Sequence, residues 1–174
     1  MKLEKYGIVL NRLTHDKIEM VRNWRNDPKI AKYMEYKDFI TPEMQEKWFQ
    51  KIDNDNNFYF IIEYGGKEIG LINVKNIDYN QKTGEGGIFI YDDEYLNTTI
   101  PFQISLCLSD FYFEILNLDK LICHILKDNK RAIKFNKMLG FKICENQENI
   151  NHQKYILYPE IYYKCRDRIL SIIY

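Results

Sequence analysis

Residues 58–78 constrain this chain more than any other stretch. Phe58-Tyr-Phe-Ile-Ile-Glu-Tyr64 is an apolar, aromatic run of strand length, Gly65-Gly66 follows, and Glu68 to Asp78 resumes strand character. Two glycines between two such runs mark a two-residue hairpin, because the tightest turns need positive φ at their central positions. After a turn around Asn80 to Gly84, Gly86 to Tyr91 reads as a third strand, closed by Asp92-Asp93-Glu94. An antiparallel meander therefore sits mid-chain, and other elements must cover its apolar faces.

Helical signals flank the meander. Ile8-Val9-Leu10 opens as a strand, and from Thr14 a helix carries Ile18, Val21 and Trp24 or Arg25 on one face until Asn26-Asp27-Pro28 stops it. A second helix starts at Thr41-Pro42-Glu43, with Thr41 as cap and Pro42 at the first helical position. It turns Met44, Trp48 and Phe49 inward and ends at the polar run from Asp53 to Asn57. Phe102 to Leu116 alternates like a strand in part, but fifteen residues without a breaker read better as a buried helix. Pro101 fits its first turn and Thr98 or Thr99 can cap it. Lys120 to Leu126 is a strand, Lys130 to Met138 a helix stopped at Gly140, and Phe141–Cys144 with Tyr155–Tyr158 a closing antiparallel pair. The order β-α-α-β-β-β-α-β-α-β-β gives an α+β (mixed α/β) class.

Composition bounds the rest. A chain of 174 residues, 45% hydrophobic and 15% aromatic, suits one domain with one core over 1–174 and is far from a disordered composition. Twenty-five basic residues against 25 acidic ones leave no net field for nucleic acid. No apolar run approaches the ~18 residues that span a bilayer. Met1-Lys2-Leu3-Glu4-Lys5 lacks the apolar core of a secretory leader, so the expected location is cytoplasmic. Cys107, Cys123, Cys144 and Cys165 form no CxxC pair, and His15, His124 and His152 are equally scattered, so no metal is expected.

The segment Asp128-Asn129-Lys130-Arg131-Ala132-Ile133-Lys134-Phe135-Asn136-Lys137-Met138-Leu139-Gly140-Phe141 resembles the N-x-x-A-I-x-x-Y-x-K-x-G-F signature of the GCN5-related N-acetyltransferase (GNAT) superfamily. The element order is similar to that fold along nearly the whole chain. The resemblance implies a central mixed sheet with helices on both faces, splayed between two parallel strands, here Gly86–Tyr91 and Lys120–Leu126. It implies acetyl-CoA as donor, its pantetheine arm lying in the splay against the backbone of Ile88, Phe89 and Ile90 and reached by Asn129, with Ala132 and Phe135 nearby. One of those amides would also hold the thioester oxygen as charge builds on it.

Two parts of the chain depart from the family pattern. The pyrophosphate loop, Q/R-x-x-G-x-G/A, aligns with Leu96-Asn97-Thr98-Thr99-Ile100-Pro101, where all three signature positions differ. A helix N-terminus still favours an anion, but Pro101 removes one donor and the lost glycines hinder close approach. The family's frequent tyrosine is Asn136, which can donate a hydrogen bond to the thiolate but cannot protonate it. For the base, Glu85 at the start of the third strand is the candidate, acting directly or through water. His124, mid-strand, reads as a core histidine.

The stretch Val21 to Met34, with Trp24-Arg25-Asn26 and a later Met, followed by Phe39-Ile40-Thr41 and Trp48, resembles two branches of the superfamily. One comprises nucleotide-sugar N-acetyltransferases of pseudaminic acid biosynthesis, acting on the 4-amino group of a UDP-linked dideoxy sugar in surface-glycan or flagellin-glycan assembly. The other is the ribosomal-protein N-terminal acetyltransferase-like group. The first implies a small-molecule acceptor with its 6-methyl among Met34, Tyr36 and Trp48, and phosphates met by Arg25 and Lys75. A polyamine or peptide would want an acidic cleft, and no acidic run lies near these segments. A non-catalytic acyl-CoA-binding module on the same fold stays open, as does a homodimer.

Overall fold

The computed structural model describes residues 1–174. Eight strands form one open sheet: β1 (Lys2–Lys5), β2 (Ile8–Arg12), β3 (Phe58–Tyr64), β4 (Lys67–Asp78), β5 (Thr83–Ile90), β6 (Lys120–Leu126), β7 (Lys142–Ile143) and β8 (His152–Leu157), in spatial order β1-β2-β3-β4-β5-β6-β8-β7. All neighbours are antiparallel except β5 and β6. The helices are α1 (Ile18–Asn26), α2 (Pro28–Ala31), α3 (Pro42–Ile52), α4 (Ile100–Asp110), α5 (Lys130–Met138) and α6 (Pro159–Ile173), and α4 runs on into a π-helical turn, Phe111–Ile115. The mixed α/β class holds.

Local chemistry explains most boundaries. Gly65 and Gly66 both have positive φ, 58° and 77°, as the two-residue turn demands. Thr41 accepts from the Met44 amide to cap α3, and Asn129 accepts from the Ala132 amide to cap α5. Gly140 follows α5 at φ 101°, where an added Cβ would fall 2.9 Å from Ile161.

The two faces of the sheet carry different covers. Even residues of β3 (Phe58, Phe60, Ile62) join Ile72, Val74 and Ile90 in the larger core, packed with α4 and with Tyr162 and Ile169 of α6. Tyr59, Ile61 and Leu71 face the other way, under Ile18, Val21 and Trp24 of α1 and Phe49 and Ile52 of α3. A bulge at Asn76 (φ 51°) re-phases β4, so that Ile77 returns to the larger core. The backbone groups it frees bind the 54–57 loop: the Asn76 amide donates to Asn57 Oδ1 and the Ile77 amide to the Asn56 carbonyl.

Several expectations are corrected. β1 was not foreseen, since Lys2-Leu3-Glu4-Lys5 has one apolar residue and forms only by pairing with β2. Neither α2 nor α6 was foreseen, although Pro28 and Pro159 stand in their first turns. The third strand begins at Thr83, not Gly86, because the parallel neighbour extends it backwards from the turn. Met44 points outward; buried Gln45 takes the inward place and donates to the Ile18 carbonyl at 2.8 Å.

Candidate active site

The parallel pair is short. β5 and β6 share three rungs, Thr83 with Lys120, Gly84 with Leu121 and Glu85 with Ile122, and then separate while both strands continue. On its other edge β5 pairs with β4 from Glu85 to Ile90, and the Tyr91 amide donates to the Ile69 carbonyl at 2.7 Å. Peptide groups alternate along a strand, so Phe89 directs its N–H and C=O toward β4 while Ile88 and Ile90 direct theirs into the opening. The close approach of Gly70 to the Phe89 carbonyl, where a Cβ would lie 2.3 Å away, fits that orientation. Of the three backbone positions expected to face a pantetheine arm, Ile88 and Ile90 open away from β4 and Phe89 does not, because its peptide groups pair with β4. An opening of unpaired strand groups suits an extended amide-bearing ligand such as the arm of acetyl-CoA.

On the α4/α5 side, Phe102 and Phe135 pack at 4.8 Å between ring centres, and Ala132 and Ile133 join the same cluster. Asn129 uses its side-chain oxygen as the helix cap, which leaves its NH2 as the group free to donate. Asn136 is engaged locally: its amide donates to the Ala132 carbonyl, and its oxygen faces Cys123 Sγ at 3.8 Å. In the 96–100 loop, Thr98 Oγ1 donates to the Tyr95 carbonyl and accepts from the Ile100 amide, and Thr99 Oγ1 donates to Gln103. Both hydroxyls expected to meet an anion are thus occupied, and the Asn97 and Thr99 amides are the loop donors without a partner. Arg131 reaches across from α5 to the Leu96 carbonyl at 2.7 Å and brings a cation to this loop. Leu96 packs against the main core and Ile100 lies within it, so these two serve the loop through the backbone.

The α1/α3 side is built differently. Tyr59, Asn73 and Gly87 stand in one row across β3, β4 and β5. Trp48 from α3 meets Tyr59 edge-on at 5.1 Å. Arg25, in the last turn of α1, has no hydrogen bond or ion pair, and its Nε is buried; the Asn73 Nδ2 is buried and unpartnered too. Burial pushes the Arg25 guanidinium below its ordinary value, with Tyr59 acting the other way. The Tyr59 phenol is pushed up to about 12, by burial above all. Lys75 and Glu85 form the next row, 3.8 Å apart. Met34 is half-buried and Tyr36 exposed in the loop between α2 and α3, so these two do not line a closed apolar pocket with Trp48. Trp24 is core, stacked on Tyr91 at 5.5 Å.

The helical cover on this face ends at β5. His124 of β6 is consequently exposed rather than core. It lies on the Glu85 face two residues beyond Ile122, opposite Lys154 of β8 and 5.4 Å from the His152 ring. Its placement depended on what covers β6, which periodicity does not report. No group of three or more His, Cys, Asp or Glu is placed to hold a metal, and no helix is long and apolar enough to cross a membrane.

Comparison with known proteins agrees with this fold. Residues 8–142 match the family model described as Acetyltransferase (GNAT) domain. Acetyltransferase PseH of Campylobacter jejuni is 27% identical over 139 residues, covering 79% of this chain and 84% of that protein. Spermidine N(1)-acetyltransferase of Escherichia coli K12 is 24% identical over 141 residues, with 79% and 74% covered. Among solved structures, spermidine N-acetyltransferase of Vibrio cholerae in complex with CoA and spermine superposes with a TM-score of 0.75 at 23% identity, covering 90% of this chain and 98% of that one.

Proposed function

This chain belongs to the GNAT acetyltransferase family and is an N-acetyltransferase, and from that premise we propose that it acetylates the 4-amino group of a UDP-linked 4-amino-4,6-dideoxy sugar. Acetyl-CoA is the donor that this family uses. The reading that fits the opening has both substrates present together, with the amine attacking the thioester directly. The backbone amides of Ile88 and Ile90 are the donors available to the pantetheine arm and thioester oxygen, and the Asn129 NH2 is the side-chain donor we assign to the same arm.

One observation carries the choice of acceptor: two buried donors, Arg25 Nε and Asn73 Nδ2, have no partner within the chain. A buried donor without an acceptor costs about 1–3 kcal/mol. A ligand rich in oxygen relieves both. A polyamine brings only donors and positive charge, leaves both orphans in place and meets an unpaired guanidinium. Sugar hydroxyls and a pyrophosphate supply the missing acceptors, and Lys75 adds charge in the row next to Asn73. Trp48 gives the apolar surface for the 6-methyl group, with Met34 and Tyr36 at the loop edge.

Glu85 is the group we assign to receive the amine's proton, directly or through one water, since attack requires the neutral amine. Acetyl transfer to a polyamine is the second reading, supported by the kinship to spermidine acetyltransferases. Thiol release from acetyl-CoA with four acceptors decides between them: the UDP-linked amino sugar, the free amino sugar, spermidine, and a peptide with a free N-terminus. The proposal expects the nucleotide-linked sugar to give the highest kcat/KM, and it is overturned if spermidine does.

A further inference from the structure

His124 is the one imidazole beside the opening, and it makes no hydrogen bond or ion pair within the chain. Had β5 and β6 stayed paired, the rung after next beyond Glu85–Ile122 would set Gly87 against His124; instead the strands diverge and leave space between them. The row Tyr59, Asn73, Gly87, opening, His124, Lys154 thus crosses the whole acceptor face. Glu85 borders the opening from the β5 side and His124 from the β6 side. Beyond His124 the surface continues to His152, whose Nδ1 lies 3.7 Å from the Glu35 carboxylate on the exposed 32–40 loop.

Two side chains able to carry a proton therefore flank the opening, and a third and fourth lead away from it. We propose that His124 takes the proton that Glu85 draws from the acceptor amine and delivers it to the outer face of the sheet. This rests on the reading of the opening as the site of acetyl transfer. As the nitrogen–carbon bond forms, a nitrogen–hydrogen bond breaks and the proton passes to the Glu85 carboxylate and from it, by way of water in the opening, to a ring nitrogen of His124. The carbon–sulfur bond breaks with its electron pair on sulfur, and the CoA thiolate is protonated by solvent. The imidazolium returns its proton to water, and Glu85 and His124 end the cycle as they began it.

The surroundings favour a neutral imidazole ready to accept. Partial desolvation pushes His124 below the ordinary histidine value. Glu85 on β5 acts in the opposite direction, whereas His152 and Lys154 on β8 and Lys75 on β4 add to the lowering. A histidine held below its ordinary value is neutral at neutral pH and has a ring nitrogen able to accept a proton.

The test uses the full chain with acetyl-CoA and whichever of the four acceptors above is turned over fastest. If the unaltered enzyme turns over none of them, the acetyl-transfer reading of the opening fails before any variant is made. Given turnover, His124→Gly should lower kcat by at least tenfold at pH 7 with the KM for acetyl-CoA within twofold. Added imidazole at millimolar concentration should restore at least half the loss, since it can occupy the space and carry the proton. His124→Gln, which keeps the strand packing, should show the same drop and lose the acidic limb of the pH profile of kcat. A kcat within twofold of the unaltered enzyme in both variants overturns the proposal. So does a drop that imidazole leaves untouched while the pH profile keeps its acidic limb.

Discussion

Glu85 pairs with Ile122 in the last rung that β5 and β6 share, and from that rung onward the two parallel strands have no partner in each other. A titratable side chain is thereby placed at the closed end of an opening whose β5 edge carries free peptide groups. The carboxylate lies on the face that α1 and α3 cover in part, whereas Asn129 and Asn136 belong to the helix on the opposite face.

Glu85→Gln keeps the shape and removes the proton acceptor. Turnover should fall by about 10²–10⁴, the usual range for a lost general base, while acetyl-CoA binding by calorimetry hardly changes. A variant with normal kcat at neutral pH would assign the role to water.

Asn129 caps α5, and a pair of variants can separate that role from the contact to acetyl-CoA proposed for its NH2. Asn129→Asp keeps the capping oxygen of α5 and removes the NH2, so acetyl-CoA affinity should drop about tenfold with little change in Tm. Asn129→Ala loses both groups and should also destabilise the fold by about 1 kcal/mol. Equal affinity for acetyl-CoA in the unaltered protein and the Asp variant would show that the NH2 makes no contact with the donor.

Arg25 should trade stability for binding. Arg25→Met removes a buried donor without a partner, so the thermal midpoint should stay level or rise. The same change should lower kcat/KM for the nucleotide-linked sugar far more than for the free amino sugar, because only the former offers phosphates. A two-by-two comparison of rates measures this, and equal penalties for both acceptors would make Arg25 a structural residue.

Asp110 should govern acid stability. This buried carboxylate accepts hydrogen bonds from Tyr162 and Tyr6, each at 2.6 Å, from Arg166 at 3.1 Å and from Lys5, joining the β1–β2 hairpin and α6 to α4. Burial opposes its ionisation, but the hydrogen bonds from Lys5, Tyr162, Tyr6 and Arg166 outweigh that and hold it below the usual carboxylate range. A depressed folded pKa contributes stability that is fully present above the unfolded value of about 3.9 and is lost as pH falls through the folded value. Asp110→Ala should therefore cost about 3–5 kcal/mol at neutral pH, and chemical denaturation should show a smaller loss of stability below pH 4 than in the unaltered protein. An unchanged midpoint at pH 7 would contradict this.

What the sequence by itself determined is what depends on neighbours within a turn or a hairpin. The Gly65-Gly66 turn, the Thr41 cap, the stop at Gly140, and the bounds of β6 and α5 all follow from residues a few positions apart. The tertiary structure decided which surfaces are covered. Periodicity shows that a strand has two faces, but α1 and α3 stop at β5, so His124 is exposed although its strand looks buried from sequence. In the same way Arg25 and Asn73 read as ordinary polar residues until folding buries a nitrogen of each with nothing to accept from it. Which peptide groups of β5 are free was also a tertiary matter, because the register with β4 turns Phe89 one way and Ile88 and Ile90 the other. Local propensity acts through bonds between near neighbours, whereas the opening, its two flanking titratable groups and its orphaned donors arise from segments far apart in the chain.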